Sequence, residues 1–232
     1  KKSLDKERSM VCSVAHGLRT PVTSIQGYAQ LLEQSEKLSE KNKEYVTIIK
    51  NKSVDLAEQI NELLEYSVLQ FQEKAYEFQP LSLSSLVEQV LIEFIPQLEK
   101  EKMQFSLTGN KKDYVINCNS ILMVRLFENL ITNGIRYGRQ GGKLEIVLKE
   151  KEESVQVLIS NYGSCMSEEE QVHIFDAFYQ GKDAKNYKSE SKGLGLAIVS
   201  QIIQIHNGII WIESDEKTGK TTFGFELNIF RN

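Results

Sequence analysis

Residues 16–21, HGLRTP, place an imidazole and a hydroxyl at a spacing that could support nucleophilic chemistry. In a helix, His16 lies about 200° from both Val14 and Leu18, so its side chain points away from the apolar seam to which they belong. Thr20 follows four residues later on the same helical face, where its hydroxyl can reach a group bonded to the imidazole. The alternatives are an ordinary exposed histidine and a threonine that bonds to its own helix. The spacing therefore predicts an accessible imidazole with a hydroxyl beside it.

A second polar group lies in residues 128–137, ENLITNGIRY. At helical spacing, Asn129, Asn133 and Arg136 share one side of the helix. The opposite side is apolar and consists of Met123, Val124, Leu126, Phe127, Leu130, Ile131 and Ile135. The polar side could be a solvated surface, but amides that face away from a core also fit ligand binding.

Glycines occur at two further places. Residues 161–166, NYGSCM, follow an apolar strand pattern, and residues 193–198, GLGLAI, open a helical pattern. A glycine-rich start of a helix favours anion binding, because free amide N–H groups and the helix dipole point at the anion. The polar stretch over 180–192 is long enough to be a mobile lid. By itself, G-L-G-L does not identify a phosphate site.

Two helices must position His16. From Met10 to Leu32 apolar residues recur three or four apart, which is typical of a long helix with a coiled-coil-like seam. The polar stretch over 35–42 interrupts this pattern, which resumes between Tyr45 and Phe71. Two amphipathic helices cannot enclose a core between themselves. The exposed seam therefore predicts that the helical hairpin dimerises into a four-helix bundle.

A polar run that ends in Gln79-Pro80 is typical of a linker. We therefore predict a first domain over 1–73, a linker over 74–81 and a second domain over 82–232. Periodicity in the second domain predicts helices near 83–102, 119–137, 167–175 and 194–206, and strands near 103–108, 113–117, 143–151, 153–160, 208–214 and 221–229. The chain is thus expected to be α+β, with a two-layer α/β sandwich and a mixed sheet in its second domain.

Composition disfavours several function classes. A net charge of −4 over 232 residues, with both signs interspersed, offers no basic face for nucleic acid. Three widely spaced cysteines without a C-x-x-C pair favour neither a disulfide framework nor a zinc site. Because no run of about 18 apolar residues and no signal-peptide pattern is present, we expect no membrane contact in this fragment.

The motifs resemble those of the histidine kinases. Residues 16–21 agree at five of six positions with the H-box, whose usual form is His-Glu/Asp-Leu-Arg/Lys-Thr-Pro. The other resemblances are 128–137 to the N-box, 161–166 to the G1-box, 174–180 to the F-box and 193–198 to the G2-box. This ordered set covers most of the chain, about residues 10–225. It implies the cytoplasmic portion of a membrane-anchored bacterial sensor, with a dimerisation and phosphotransfer domain followed by a histidine-kinase/Hsp90-like ATPase domain.

The resemblance also implies an activity. ATP would phosphorylate His16, and the phosphoryl group would pass to an aspartate in the receiver domain of a response regulator. The implied catalytic residues are His16, Arg19 and Thr20, of which Thr20 would orient water for a phosphatase activity. The implied metal is Mg²⁺, held by Asn133 and Asn129, since an amide is a hard ligand that adds no negative charge beside a triphosphate. The implied nucleotide-binding residues are Asn129, Asn133, Arg136, Tyr137, Asn161, Gly163, Phe178, Gly193, Leu194, Gly195, Leu196 and Thr221.

Departures from the family pattern leave alternatives open. Gly17 stands where an acid usually takes the imidazole proton, and Asn161 stands where an Asp usually accepts a hydrogen bond from adenine. Cys165 replaces a glycine. A degenerate kinase, acting as a nucleotide-binding scaffold or phosphatase with weak autokinase activity, is therefore the alternative. A water-hydrolysing ATPase is less favoured, because related ATPases carry a general-base Glu where this chain has Asn129.

Overall fold

The computed structural model describes Leu18 and residues 22–34, 39–71, 76–181 and 193–231. The chain divides into two compact units, one formed by the described residues before residue 73 together with residues 193 and 194, and the other by residues 76–181 and 195–231. The predicted catalytic residues His16, Arg19 and Thr20, and residues 182–192 of the predicted lid, lie outside the described residues. Within the described ranges, no helix is long and apolar enough to cross a membrane.

The first unit contains two helices, α1 over residues 22–33 and α2 over Glu40–Phe71. Helix α2 begins inside the polar stretch that was predicted to separate the helices. Its start is stabilised by Ser39, whose hydroxyl accepts a hydrogen bond from the Asn42 N–H at 3.3 Å. Such a cap satisfies one of the free N–H groups of a first helical turn. The helix therefore starts before its first apolar residue.

The helices of the first unit pack through a small apolar cluster. Val22 in α1 and Ile60 in α2 are buried there, with Ala57 and Leu64 packed against them. Other large apolar side chains of the predicted seam stay exposed, namely Leu18, Ile25, Leu32, Tyr45, Ile48, Ile49 and Leu56. One copy of this unit thus leaves more large apolar side chains of the seam exposed than it packs in that cluster.

The second unit is a layered α/β structure. Its described elements, in chain order, are β1 (Gln79–Ser82), α3 (Leu83–Lys100), β2 (Gln104–Thr108), β3 (Val115–Cys118), α4 (Ser120–Gly138), β4 (Lys143–Glu150), β5 (Ser154–Tyr162), α5 (Glu168–His173), α6 (Gly195–Ile205), β6 (Ile209–Asp215) and β7 (Lys220–Asn228). Strands β2, β4, β5, β7 and β6 form one sheet in that order. Since β2 runs parallel to β4 and the other neighbours are antiparallel, the predicted mixed sheet is confirmed.

The segment predicted as a linker over 74–81 contains the first residues of β1. This strand pairs with β3 outside the main sheet, and Pro80 lies opposite Asn117. Proline is compatible with a short strand that has a free edge, since its missing N–H need not bond there. A polar, proline-containing sequence therefore does not distinguish this strand from a linker.

The three central strands bury one face against the helices. Alternate residues point to that face, as expected for strands with one buried side. The buried apolar residues are Leu144, Ile146 and Leu148 in β4, Val155, Val157 and Ile159 in β5, and Phe223, Phe225 and Leu227 in β7. The row at one end of this face is different, because Asn161 pairs with Thr221 there and both are at least 98% buried. Core packing alone does not explain two polar residues at such positions.

His206 joins the end of α6 to the start of α4. Its Nδ1–H donates to the Ile202 carbonyl at 2.7 Å, and its Nε2 accepts the Asn119 N–H at 3.1 Å. Asn119 in turn caps α4 by accepting the Leu122 N–H at 3.0 Å. Burial lowers the pKa of His206 below its ordinary value, which agrees with a neutral ring that both donates and accepts. Asn207 follows with a φ of 54°, the left-handed conformation that commonly ends a helix.

We expect the second unit to lose stability as the pH falls below about 6.5, because the unfolded chain then binds a proton that folded His206 excludes. The free energy of unfolding should decrease with falling pH until the folded pKa is also passed. Denaturant unfolding can be followed by the fluorescence of Trp211 in β6, the only tryptophan of the chain.

Replacing His206→Phe should reduce this pH dependence and cost about 1–3 kcal/mol, because the Asn119 N–H loses its acceptor. His173→Phe is the matched control, since His173 is exposed. The same pH dependence in the His206→Phe variant as in the native chain would contradict the assignment.

Candidate functional site

Helix α4 carries four of the predicted nucleotide-binding residues. Asn129, Asn133, Arg136 and Tyr137 are partly buried along it. Its fully buried residues lie on the other side and include Met123, Leu126, Phe127, Leu130 and Ile131. The amphipathic pattern of the sequence thus separates the packing side of the helix from its amide side.

Asn129 faces the first turn of α6. Its side-chain N–H donates to the Arg125 carbonyl at 2.9 Å. The remaining amide oxygen is directed at Gly195, where an added Cβ would lie only 2.9 Å from it. Glu128 approaches Arg125 at 3.7 Å. Asn129 therefore presents an uncharged oxygen to the helix that the sequence predicts as a phosphate site.

The start of α6 has the backbone features of an anion site. Gly193 adopts a φ of 77°, which favours glycine, and α6 begins two residues later at Gly195. Leu194 is buried, whereas Leu196 is partly buried. The first turn of a helix leaves N–H groups without partners in the helix, and the helix dipole makes this end positive. The arrangement suits a phosphate group.

The end of β5 lies against the last turn of α4. A Cβ at Gly163 would lie 2.5 Å from the Tyr137 carbonyl oxygen, so only glycine fits there. The Gly163 N–H donates to the Gly219 carbonyl at 2.8 Å. Thr221, opposite Asn161, donates to the Ser164 carbonyl at 3.5 Å. These contacts bring four predicted residues, Tyr137, Asn161, Gly163 and Thr221, into one region.

Two buried amide atoms have no hydrogen-bond partner within the described part of the chain. They are Oδ1 of Asn133 and Nδ2 of Asn161. A buried polar atom that is left without a hydrogen-bond partner lowers the stability of the fold by about 1–3 kcal/mol. A free amide oxygen is a ligand that Mg²⁺ accepts, and a free amide N–H needs an acceptor atom. Both residues therefore fit a bound nucleotide with its metal. In the described ranges, no group of three His, Cys, Asp or Glu side chains could hold a metal ion instead.

The remaining predicted features are the aromatic residues of the F-box and Cys165. Phe178 is 59% exposed with a φ of 68°. Phe175 packs edge-on against Phe223 at 6.3 Å between ring centres, as a side chain that anchors this segment to the hydrophobic core would. The Cys165 thiol donates to the Asp215 carbonyl at 3.2 Å.

The strongest charge cluster near β5 lies on the opposite face of the sheet. Glu145 binds Lys143 at 2.6 Å, accepts the Tyr162 hydroxyl at 2.8 Å and lies 3.4 Å from Lys220. The hydrogen bond from Lys143, with support from Tyr162 and Lys220, lowers the pKa of Glu145 to about 2. Because successive strand residues point to opposite faces, the Asn161 side chain does not share this cluster. The candidate site thus keeps its uncharged amide character.

The sequence did not predict a role for two glycines of α4. A Cβ at Gly134 would lie 2.5 Å from Leu144 Cδ1, and one at Gly138 would lie 3.0 Å from the Asn161 Cβ. Each glycine lowers the stability of a helix by about 0.5–1 kcal/mol relative to alanine. The close packing of the helix against the sheet is what these glycines provide in return. Two glycines four residues apart in an amphipathic helix are the signal that could have identified them.

Comparison with known proteins covers both units. The family model "His Kinase A (phospho-acceptor) domain" matches residues 6–71, and "Histidine kinase-, DNA gyrase B-, and HSP90-like ATPase" matches residues 118–230. The chain belongs to the sensor histidine kinases. The predicted family resemblance and α+β fold class are thereby confirmed.

Individual relatives support the same family. The sensor protein VanSC of Enterococcus gallinarum is 29% identical over 94% of this chain and 60% of VanSC. The chain therefore spans about 60% of the length of that relative and less of others. Histidine kinase ThkA, solved in complex with the response regulator protein TrrA, is 28% identical with a TM-score of 0.67, over 96% of this chain and 61% of that one. Full-length ShkA in complex with AMPPNP has a TM-score of 0.80 over 97% of this chain and 47% of that one, but at 21% identity it supports the fold alone.

We expect Gly195→Ala to weaken binding of Mg²⁺–ADP about three- to tenfold, because the added methyl group displaces the Asn129 amide oxygen. Displacement of a fluorescent ADP measures the affinity. The unfolding midpoint should change little, since alanine is the better helix former. Gly27→Ala is the control, because a Cβ there meets nothing within 4 Å. Equal affinities in the two variants would contradict the placement of Asn129.

Proposed function

We propose that the chain is the catalytic region of a sensor histidine kinase, in which ATP phosphorylates His16 and the phosphoryl group passes to an aspartate of a response regulator. The observation that carries the nucleotide part is the pair of unsatisfied amide atoms on Asn133 and Asn161, in a unit that also contains helix α6 from its first residue, Gly195. The match of residues 6–71 to a phospho-acceptor domain supports His16 as the acceptor.

The residues of the second unit divide between the parts of a nucleotide. The amide oxygens of Asn133 and Asn129 would hold Mg²⁺, which neutralises charge on the phosphates when it is bound. The free N–H groups at the start of α6, after Gly193, would bind the phosphates. Asn161 and Thr221 would contact the adenine base of the nucleotide. For Arg136 and Phe178, the nucleotide-binding roles that the family resemblance implies remain predictions.

Phosphoryl transfer requires His16 to be neutral, since its ring nitrogen forms the new N–P bond while the bond to the ADP oxygen breaks. The proton on the other ring nitrogen must then leave. Gly17 supplies no side chain to accept that proton, so another group or water must take it. Arg19 and Thr20 remain the predicted catalytic neighbours. This step is where the chain departs most from the family pattern.

The site favours a protein acceptor over water. A hydrolytic ATPase needs a general base to activate water, and Asn129 has no basic oxygen to serve in that role. Glu128 is directed at Arg125 rather than toward Gly195. The proposed activity is therefore transfer rather than hydrolysis.

We further propose a homodimer through the helical hairpin, with the receiver domain of a response regulator as its second partner. The exposed apolar seam of α1 and α2 supports the dimer, because an isolated hairpin leaves this surface in water. The ThkA–TrrA complex, at 28% identity, supports the receiver partner. We also keep the prediction that the chain is the cytoplasmic portion of a membrane-anchored sensor.

A degenerate kinase is the second candidate. Gly17 favours it because the usual proton acceptor is missing. Cys165 favours it as well, since a side chain occupies a position where the family usually has glycine. Such a chain would bind nucleotide and transfer little phosphate.

Incubation of the chain with Mg²⁺ and γ-labelled ATP should produce an acid-labile label on the protein. His16→Gln should abolish the label, whereas His173→Gln, at an exposed histidine, should leave it unchanged. Nucleotide binding without any label would support the degenerate kinase instead. Steady phosphate release without labelled protein would indicate a hydrolytic ATPase.

We expect Gly17→Glu to raise the initial rate of labelling, by up to about 100-fold, because the new carboxylate can accept the imidazole proton. Gly27→Glu introduces the same charge at an exposed helical glycine and should leave the rate unchanged. No increase for Gly17→Glu would show that the missing acid does not limit the reaction.

A further inference from the structure

Asn161 occupies the polar end of an otherwise apolar sheet face. It is 2% exposed and lies between Leu144 in β4 and Thr221 in β7. Helix α4 covers it through Gly138, whose position leaves room for no side chain between helix and strand. Its Nδ2 atom is buried and has no hydrogen-bond partner in the part of the chain that the structure describes.

The protein groups around Asn161 do not offer an obvious acceptor for this N–H. The Thr221 hydroxyl on the neighbouring strand bonds the Ser214 hydroxyl at 2.8 Å and donates to the Ser164 carbonyl, and it makes no hydrogen bond with the Asn161 N–H. Gly134 and Gly138 contribute no side chain, and the Gly138 carbonyl accepts the Gly142 N–H at 2.9 Å. An acceptor atom supplied by a bound molecule would satisfy this N–H.

An amide and a carboxylate differ in what they select. A carboxylate only accepts hydrogen bonds, so it favours the 6-amino group of adenine and repels the 6-oxygen of guanine. An amide both donates and accepts. Its oxygen can accept from the adenine amino group while its N–H donates to adenine N1. After a flip of the amide, its N–H can donate to guanine O6 while its oxygen accepts from guanine N1–H.

We propose that Asn161 is a specificity-determining residue that allows the second unit to bind guanine nucleotides as well as adenine nucleotides. The unsatisfied Nδ2 atom supplies the donor that the 6-oxygen of guanine requires, and the same amide serves adenine in the other orientation. The proposal rests on the proposed function, because it presupposes a nucleotide whose base lies at Asn161.

Competition binding tests this assignment. Unlabelled ADP and GDP, with Mg²⁺, displace a fluorescent ADP from the full chain. The two dissociation constants of the native chain should agree within about tenfold. In Asn161→Asp, GDP should bind about 10- to 100-fold more weakly relative to ADP, because its 6-oxygen then faces a carboxylate.

Asn117→Asp is the matched control, since it adds the same charge at an exposed position of β3. It should leave the ratio of the two constants unchanged. A native chain that rejects GDP more than about 100-fold relative to ADP would overturn the proposal. An unchanged ratio in Asn161→Asp would also overturn it.

The native chain also provides a test that needs no buried carboxylate. The 5′-diphosphate of purine riboside has no group at position 6 and should bind more weakly than both ADP and GDP. Equal affinity for all three would overturn the role of Asn161. Tight ADP binding with no GDP binding would overturn the proposal about Asn161 and leave the proposed function standing. Absence of binding by either nucleotide would overturn the proposed function, and this proposal with it.

Discussion

The close contact between α4 and the sheet determines where most of the candidate site lies. Gly134 and Gly138 allow the helix backbone to approach β4 and β5 at distances where a Cβ would displace Leu144 or press against Asn161. The apolar side of the helix is buried by the same contact, so its amide side must face away from the sheet. Asn129 and Asn133 are thus oriented by the packing of residues that bind nothing themselves.

Apart from Arg136, the predicted side chains of this site carry no charge. Amides occur at Asn129, Asn133 and Asn161, whereas Glu145 is bound by lysines on the other face of the sheet. In the proposed function, backbone N–H groups would bind the phosphates and the amide oxygens would hold Mg²⁺, with no acid among these amides to repel the phosphates. The lack of a general base among the amides supports the proposed transfer onto a protein side chain over hydrolysis.

Much of this fold could be predicted because the periodicity of long elements is strong. Helix α4 was expected near 119–137 and spans Ser120–Gly138. Strand β1 was missed, since Pro80 and its polar neighbours carry no alternation, and its pairing with β3 is a tertiary effect. The amide side of α4 followed from spacing, but the unsatisfied state of Asn161 could not, because hydrogen-bond partners depend on packing that sequence alone does not specify.

Asn161 has nearly the shape of the aspartate that the family usually carries at this position. The two side chains differ by one terminal atom group, and their codons differ by one base. Exchange between them therefore leaves the contact with Gly138 unchanged, whereas any larger residue at Gly138 would disturb the helix–sheet packing. If residue 161 selects the purine base as proposed, a single point mutation would change the nucleotide preference without changing the helix–sheet architecture.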